Sequence, residues 1–464
     1  MEYLTVHEIS KKWNMNERRV TALCRDNRIA GIRKEGNTWL IPSDSLMPLD
    51  MRTKEYENIV KMYNDKGVSY SSGGERVIDF FRKKYKKDPM YTTFTPYRIC
   101  PIGAHVDHNL GKITGFAIDR GVHIAYSIKN NGVIELESLQ FPKRAQWHVL
   151  ATPEVRENDW ADHLRGATIA LAKRFNLKYG LSAIIDGELP IGGLSSSAAV
   201  IITFINALAN LNNIEITPSL LIDISIEAEN NYVGVSSGKL DQCCEIYSKK
   251  NKLLFMDMKD FNYELVDTPK NMKPYVIGIF FSGLENSLES YKYNMRIDEA
   301  RCAAYNLLAF SGMNYSKFND TNLRDVPYDI YLKYKNKLPD NFRKRAEHFY
   351  TEMDRVEKGI IAWKNGNIEE FGKLINESGE STIKNWETVS DELIKLYEIL
   401  KNTKGVYGTR FSGSGFKGCC IAFINPEYVD LVFENTSKLY LDMYPHLKNK
   451  YSAHICHSAD GVKL

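Results

Sequence analysis

The stretch Gly187–Leu211, GELPIGGLSSSAAVIITFINALANL, holds the most specific local pattern of this sequence. Two adjacent glycines are followed by three serines, which stand where a long apolar helix is predicted to begin. Glycine lets the backbone bend close to a ligand, and N–H groups at the start of a helix favour an anion. We therefore predict a phosphate-binding loop, although a serine-rich helix cap would give the same pattern. The predicted loop residues are Gly192, Gly193, Leu194, Ser195, Ser196, Ser197 and Ala198.

A second glycine cluster lies in Gly408–Cys420, GTRFSGSGFKGCC. Gly413, Gly415 and Gly418 alternate with small polar residues between flanks that resemble strands. This pattern predicts a tight loop pressed against a ligand or against another loop. Because one chain contains both clusters, nucleotide binding is the favoured interpretation.

A third stretch, PYRICPIGAHVDHN at 96–109, brings four chemically active side chains into one short segment broken by proline and glycine. They are Arg98, His105, Asp107 and His108. A hydrophobic core has no need of such a group, so we expect this segment to contact a ligand.

Composition excludes several classes of protein. The chain has 464 residues, which exceeds one ordinary domain, and 43% hydrophobic with 26% charged residues is typical of globular proteins. A net charge of +3 gives no global argument for nucleic acid or an anionic membrane. The eight cysteines lack the CxxC spacing of zinc sites and are expected as buried residues in a reducing compartment. Without a signal-peptide pattern or a long apolar run, we expect a cytoplasmic protein with no membrane span.

Residues 1–50 are predicted to form a separate unit. Thr5 and Glu8 predict a capping box for a first short helix, a second helix follows, and 31–42 predicts a hairpin that stops at Pro42. The pattern resembles the winged helix-turn-helix of the MerR and excisionase type, which implies a DNA-recognition helix at Glu17–Arg25 that presents Arg18, Arg19 and Arg25. Because acidic residues nearly balance basic ones here, a solvated helix face that binds protein, or nothing, is an equal alternative.

The rest of the chain predicts an α+β fold in two halves. Strand-like and helical runs mix from about residue 53 to 270, and a further strand is followed by mostly helix from Asn294 to Asn402. Two strand-like runs close the chain. We therefore predict one lobe at 53–270 and a second at 271–464.

Taken together, Arg98–Asn109, GLSSSAA at 193–199 and RFSGSGFKG at 410–418 resemble the three signatures of the GHMP kinases, in their galactokinase branch. The resemblance covers nearly all of 75–460. It implies a two-lobed fold with an S5-like N-terminal lobe and a ferredoxin-like C-terminal lobe. It also implies phosphoryl transfer from ATP, with Mg²⁺, to the anomeric hydroxyl of a hexose.

Five departures from the galactokinase form, roughly GRVNLIGEHTDYN, are similar to the plant-type galacturonokinases instead. They are Tyr97, Cys100, Pro101, Ala104 and His108. KRAEHFYTEMDRV at 344–356 and GNIEEFGKLINESG at 366–379 also resemble that subgroup. The resemblance implies a galacturonokinase, with galactokinase as the alternative.

The same resemblance implies the catalytic and metal-binding roles. Asp241 matches the aspartate that accepts or orients the proton of the sugar's C1 hydroxyl, and Arg98 matches its partner that steadies the phosphoryl group. Apart from the resemblance, a cap and a surface ion pair would be the ordinary explanations. Ser197 and Glu229 match the metal contacts, with Ser196 as a rival serine. The ordinary explanation of Glu229 is an exposed helix residue.

For the sugar, the resemblance implies contacts from His105, Asp107, Gly238 and Tyr293, although Tyr291 is adjacent to Tyr293 and either tyrosine could simply pack in the core. Trp160 resembles the aromatic residue that lies against adenine, but an isolated tryptophan is more often a core residue.

Ala104 stands where galactokinases carry a glutamate that holds the sugar 6-hydroxyl. Its methyl group removes a negative charge that would repel the C6 carboxylate of a uronic acid, and His108 could donate to that carboxylate. The alternative is a looser pocket that takes galactose, an amino sugar or arabinose. A second class of function also stays open, namely a transcription regulator that uses a kinase-derived body as a sugar sensor.

Overall fold

The computed structural model describes residues 3–25, 29, 32–43, 45, 73–284, 289–415 and 417–464, and for 289–291 it describes the backbone only. The helices of these residues are α1 (Val6–Lys12), α2 (Glu17–Arg25), α3 (Gly73–Tyr85), α4 (Asp162–Ala172), α5 (Ser196–Leu211), α6 (Pro218–Glu227), α7 (Leu240–Tyr247), α8 (Glu289–Ser311), α9 (Tyr328–Tyr334), α10 (Asp340–Lys364), α11 (Ile368–Ser381), α12 (Asp391–Lys401) and α13 (Val429–Met443). No helix in this described part of the chain is both long and apolar enough to span a bilayer.

The strands of the same residues are β1 (Tyr3–Thr5), β2 (Arg33–Glu35), β3 (Thr38–Pro42), β4 (Tyr91–Ile99), β5 (Lys112–Lys129), β6 (Val133–Ser138), β7 (Ala145–His148), β8 (Gly180–Gly187), β9 (Lys252–Asp257), β10 (Tyr263–Asp267), β11 (Val276–Phe281), β12 (Val406–Ser412), β13 (Cys419–Ile424), β14 (Ser452–Cys456) and β15 (Ser458–Ala459).

The N-terminal unit consists of α1 and α2 with a three-stranded sheet of order β1-β3-β2. Thr5 and Glu8 form the predicted capping box at the start of α1, and β3 ends at Pro42 as predicted. Val20, Leu23 and Cys24 turn the apolar face of α2 toward a small core. The predicted helices and hairpin are therefore confirmed at the level of secondary structure.

A mixed sheet forms the first lobe. Its path runs β10-β9-β5-β8-β6-β7, and β4 and β15 also pair with β5. The register between β4 and β5 shifts between Pro96 and Arg98, where a proline cannot donate to the ladder. Such an irregularity redirects the side chains that follow it, and Arg98 is the first of these.

The long helix α5 lies on β4 and β5. It is apolar on nearly every face, as expected of a helix that is surrounded by other elements. Its start therefore points to the region where β4 ends, which brings the serine stretch close to Arg98.

An antiparallel sheet of order β12-β13-β11-β14 forms the second lobe. In chain order its strands and their flanking helices follow the β-α-β-β-α-β pattern of a ferredoxin-like fold, with α8 to α12 inserted between β11 and β12.

The end of the chain returns to the first lobe. Ser458 and Ala459 pair with β5 of the first sheet, and the Val462 N–H donates to the Glu245 carbonyl at 2.8 Å. The sequence predicted a strand-like run at the end of the chain but carried no information on its partner, which is set by tertiary packing. All eight cysteines are free, and seven of them are buried, with Cys302 half-buried.

Candidate active site

Arg98 and Asp241 meet at the centre of the candidate site. Arg98 Nε donates to Asp241 Oδ1 at 2.7 Å, and Arg98 Nη2 lies 2.7 Å from the same oxygen. Burial opposes the charge of Arg98, but the Asp241 carboxylate outweighs it, so the pKa of Arg98 is raised. The Asp241 side chain is 28% exposed while that of Arg98 is 6% exposed. The carboxylate is therefore the accessible end of the pair.

The two glycine clusters pack against one another, backbone to backbone. The Gly193 carbonyl accepts hydrogen bonds from Ser412 Oγ at 2.6 Å and Arg98 Nη1 at 3.0 Å. A Cβ added at Gly413 would lie 2.6 Å from the Gly193 Cα, and one at Gly418 would lie 2.9 Å from the Gly192 carbonyl carbon. Of the two predictions for the second cluster, contact with another loop is the one observed.

The serine stretch does not act as an ordinary helix cap. Ser195, in the N-cap position of α5, has a left-handed backbone with φ 63° and makes no side-chain capping bond. Its hydroxyl is buried without a hydrogen-bond partner. The alternative of a serine-rich cap is therefore wrong for Ser195, and the stretch keeps polar groups available for a ligand.

Glu229 is buried rather than exposed. It lies in the π-helical turn Ala228–Val233, where Gln242 Nε2 and Ser237 Oγ donate to its Oε2 at 2.9 and 3.1 Å. Burial and the neighbouring charge of Asp241 raise the pKa of Glu229 to about 7, against the opposite effect of the nearby Ser197 hydroxyl. The structure thus brings together Ser197, Glu229 and Asp241.

A hydroxyl beside carboxylates suits a hard cation such as Mg²⁺, which keeps water and phosphate oxygens as its other ligands. Within the described ranges, no group of three or more His, Cys, Asp or Glu side chains is arranged to hold a metal ion unaided. The Ser197 hydroxyl and the Glu229 carboxylate therefore fit a Mg²⁺ ion whose remaining ligands come from water and from the phosphates of a nucleotide.

Glu245 is a site residue that sequence reasoning missed. It lies one turn after Asp241 on α7, is fully buried, and neither carboxyl oxygen has a hydrogen-bond partner. Burial and the charge of Asp241 raise its pKa well above the ordinary value. Burial therefore favours the neutral form of Glu245, whereas Asp241 is the acid in contact with Arg98.

Helix α10 of the second lobe braces the segment before His105. The Gly103 N–H donates to Glu352 Oε1 at 2.7 Å, and His348 Nε2 lies 3.0 Å from the Ala104 carbonyl oxygen. Burial opposes the charge of Glu352, but Arg355, His348 and Arg410 lower its pKa to about 2. The backbone at Ala104 is therefore held from the opposite lobe.

Asp107 and Gly238 are in direct contact. Asp107 Oδ2 accepts from the Leu240 N–H at 3.1 Å, at the start of α7. A Cβ at Gly238 would overlap the Asp107 carboxylate, so the glycine permits this approach. Burial opposes the charge of Asp107, yet His108 and the Leu240 N–H lower its pKa.

Rings line the space beside Asp107. His105, at φ 61°, has its ring centre 6.1 Å from that of Tyr293 and stacks on Trp386 at 5.2 Å. Burial and the charge of Arg410 hold the pKa of His105 well below its ordinary value. Burial, then the charges of Asp107 and Asp241, raise the pKa of Tyr293, so the structure brings Tyr293 to the same region. The Tyr291 side chain lies outside the described residues.

Trp160 is half-buried against the core of the first lobe. Its Nε1–H donates to the Lys143 carbonyl at 2.6 Å, and its ring lies parallel to Phe141 with centres 5.9 Å apart. In the described residues, Trp160 therefore packs against the segment that follows β6.

Sequence reasoning also missed the residues of the second lobe that complete the site: His348, Glu352, Trp386, Arg410 and Ser412. His348 and Glu352 had a detectable signal, because two polar residues four apart on a helix share one face. Trp386 had none, since a single tryptophan between two helices predicts nothing specific.

Comparisons with protein-family models match three parts of the chain. The GHMP kinases N terminal domain matches residues 162–249, the GHMP kinases C terminal domain matches 358–440, and the galactokinase galactose-binding signature matches 79–128. The first and third ranges contain the serine stretch, Asp241 and Arg98.

Two curated relatives cover most of the chain. A galacturonokinase from Arabidopsis thaliana is 36% identical over 402 residues, or 82% of this chain and 94% of the relative. A galactokinase from Clostridium perfringens is 30% identical over 380 residues, or 81% and 96%.

Among solved structures, Lactococcus lactis galactokinase complexed with galactose matches with a TM-score of 0.75 and 25% identity, covering 83% of this chain and 98% of that one. Mevalonate kinase from Methanococcus jannaschii, at 16% identity, a TM-score of 0.53 and coverage of 80% and 98%, has the same fold.

Proposed function

The chain belongs to the GHMP kinases, in their galactokinase branch, and is an ATP-dependent sugar kinase; from this premise we propose that it phosphorylates the anomeric hydroxyl of D-galacturonate. The observation that supports the choice of sugar is the segment at Ala104, which has a methyl group in place of a carboxylate and is followed by buried nitrogens of His105 and His108 without hydrogen-bond partners. The alternative substrate is D-galactose.

Asp241 and Arg98 divide the chemistry between them. Asp241 accepts, or orients, the proton of the attacking C1 hydroxyl through Oδ2, because both Arg98 nitrogens contact Oδ1. Arg98 also donates to the Gly193 carbonyl, so it bridges the acid and the glycine loop. In this position its guanidinium stabilises the charge of the transferring phosphoryl group.

The glycine-serine loop binds the triphosphate. Gly192, Gly193 and Leu194 supply backbone, and Ser195 to Ala198 supply hydroxyl and N–H groups at the start of α5. Ser197 and Glu229 would hold Mg²⁺, which would neutralise negative charge on the phosphates. Trp160, with Phe141 stacked on it, would lie against the adenine.

The sugar contacts fall to His105, Asp107, His108, Gly238 and Tyr293. Asp107 accepts from vicinal hydroxyls, while Gly238 gives Asp107 the room it needs. His105 Nε2 and both ring nitrogens of His108 are buried without hydrogen-bond partners. Nitrogen atoms in this state favour a ligand rich in acceptor oxygens, and the C6 carboxylate of a uronic acid has two acceptor oxygens where galactose has one hydroxyl oxygen.

A panel of sugars with ATP tests the proposal. The expected result is a kcat/KM for D-galacturonate at least about tenfold above that for D-galactose, as one charged hydrogen bond provides. D-Glucuronate, galactosamine and L-arabinose complete the panel. If D-galactose is the better substrate, the carboxylate argument fails.

Matched variants of Ala104 isolate the effect of charge. Ala104→Glu adds a carboxylate, and Ala104→Gln adds nearly the same volume without charge. We expect A104E to lose more activity on galacturonate than A104Q, with no such difference on galactose. If A104E and A104Q lose the same activity on galacturonate, the effect of residue 104 comes from side-chain size and not from charge.

We further propose that residues 1–50 bind DNA, which would couple the kinase to gene regulation. The supporting observation is that α2 exposes Arg18, Arg19 and Arg25 while it buries its apolar face. Full-length protein titrated against a fluorescent duplex of random sequence tests this. The proposal is supported if binding weakens with salt and if R18A and R25A each reduce the slope of log K against log salt concentration by about one. Binding unaffected by either variant would contradict it.

A further inference from the structure

Trp386 lies at the centre of three histidines. It is the last residue of a π-helical turn, Thr382–Trp386, and is 1% exposed. Its ring centre is 5.2 Å from that of His105, 5.3 Å from His108 and 5.5 Å from His348. Turns of this type occur often at functional sites, and here the turn brings an indole from the second lobe to a segment of the first.

The indole N–H of Trp386 is buried without a hydrogen-bond partner. His105 Nε2 and His108 Nε2 are in the same condition, whereas His108 Nδ1 lies 3.7 Å from Asp107 Oδ1, so three nitrogens on these neighbouring rings have no partner. Buried polar atoms are paired in nearly all native structures. A group of three therefore indicates a ligand with acceptor oxygens.

The contrast with Trp363 is informative. Its Nε1 is also buried and unpaired, but the ring contacts Phe116, Tyr275 and Phe371. This indole is an isolated case in an apolar core, whereas Trp386 belongs to a cluster of unpaired nitrogens.

His348 links Trp386 to the backbone of Ala104. His348 Nε2 is 3.0 Å from the Ala104 carbonyl and its Nδ1 is 2.9 Å from Ser381 Oγ. These two bonds fix the His348 ring, whose centre is 5.5 Å from that of the indole. One histidine therefore separates the indole from the Ala104 backbone.

The turn that carries Trp386 is clamped on both sides. Arg345 donates through Nη1 to the Asn385 carbonyl and through Nη2 to Glu387 Oε2, the latter at 2.7 Å. Lys344 Nζ also donates to Glu387 at 2.9 Å, and Glu387 has φ 58°. A strained backbone held by several bonds orients the indole before any ligand binds.

The surroundings favour an anion. Glu352 is shared by Arg355, at 2.7 Å, and Arg410, at 3.7 Å, so this buried cluster has two cations for one carboxylate. The positive charge of Arg410 also lowers the pKa of His105. Asp107, the other buried acid of the segment, accepts from the Leu240 N–H and lies 3.7 Å from His108 Nδ1.

We propose that the Trp386 indole N–H donates a hydrogen bond to the C6 carboxylate of the sugar, which makes Trp386 a specificity-determining residue for acidic over neutral hexoses. This inference rests on the proposed galacturonate kinase activity. His105 and His108 supply the neighbouring contacts, and Ala104 supplies the space.

The test compares Trp386→Phe with Trp363→Phe, a matched control that also loses a buried unpaired indole N–H. We expect W386F to lose about 10- to 100-fold in kcat/KM for galacturonate, mostly through KM, and to lose less in kcat/KM for galactose. W363F should affect both sugars equally. An equal loss on both sugars in W386F would reduce Trp386 to a packing residue and overturn the proposal.

A binding measurement without ATP supplies an independent readout. Tryptophan fluorescence should respond to galacturonate in the wild type and in W363F, and the response should be lost in W386F. If W386F unfolds at a much lower temperature, 3-benzothienylalanine at position 386 replaces only the N–H by sulfur, and unchanged selectivity in that protein would overturn the proposal.

The two proposals fail in different ways. A wild type that prefers galactose overturns the galacturonate activity, and this inference with it. A wild type that prefers galacturonate, with W386F equally selective, overturns this inference alone.

Discussion

Arg98 Nε and Asp241 Oδ1 lie 2.7 Å apart although 143 residues separate them in the chain. The bulge after Pro96 orients the arginine, and the start of α7 orients the aspartate. A third contact, from Arg98 Nη1 to the Gly193 carbonyl, links the pair to the glycine loops. Catalysis and phosphate binding therefore depend on one guanidinium.

Replacement of Asp241 by Asn should abolish most turnover. Because the amide cannot take up the hydroxyl proton and removes the negative charge that faces Arg98, we expect kcat to fall by about 10²- to 10⁴-fold. Release of ADP measures kcat, and equilibrium binding of the sugar should persist. Asp223→Asn is the matched control, since that carboxylate is 53% exposed and pairs with Lys239. Full turnover in D241N would refute the assigned role.

Replacement of Gly193 by Ala should weaken ATP binding. The new Cβ would lie 2.7 Å from Cys419 Sγ and 2.9 Å from the Ser412 carbonyl, so the two glycine loops must separate. We expect the KM for ATP to rise more than the KM for sugar.

Gly312→Ala controls for backbone strain in that experiment. Gly312 has φ +73° but nothing within 4 Å of an added Cβ, so it isolates a strain of about 1 kcal/mol. If G193A and G312A lower the melting temperature equally and leave the KM for ATP unchanged, then ATP binding does not depend on contact between the two glycine loops.

Replacement of Ser197 by Ala should raise the Mg²⁺ concentration needed for half-maximal activity. The hydroxyl of Ser197 is next to the buried carboxylate of Glu229. Ser196 is the alternative serine that the sequence offers for the metal contact. A Mg²⁺ titration of S197A and S196A at saturating ATP discriminates between them. A larger shift in S196A would move the metal contact to that serine.

Glu352 should make the free energy of unfolding depend on pH in the acid range. The pKa of its carboxyl is lowered from 4.5 to about 2, so the folded state favours the charged form. The stabilisation, on the order of 3 kcal/mol, is complete above pH 4.5 and is lost as the pH falls through 4.5 toward 2.

Urea unfolding at several pH values between 7 and 3 measures this effect in the wild type and in Glu352→Gln. The difference in free energy of unfolding between them should narrow as the pH falls. Glu357→Gln on the same helix is the control, because its side chain is 58% exposed. A difference that is constant with pH would show that Glu352 stabilises by packing alone.

The sequence predicted the elements that frame the site better than the contacts within it. The apolar run that follows the serine stretch predicted α5, because a long apolar segment is typical of a buried helix. Trp386 escaped prediction because its partners, His105 and His348, are distant in the chain and only the packed fold brings the three rings together.

The sequence by itself determined the family, the order of the two lobes and the three segments that supply Arg98, the serine stretch and the second glycine cluster. Each is a local pattern with its own chemical reason. Only the tertiary structure decided that the glycine loops contact each other, that the last strand returns to β5, and that Glu229 and Glu245 are buried beside Asp241. Burial and long-range contacts depend on the whole chain, since no short segment specifies what will cover it.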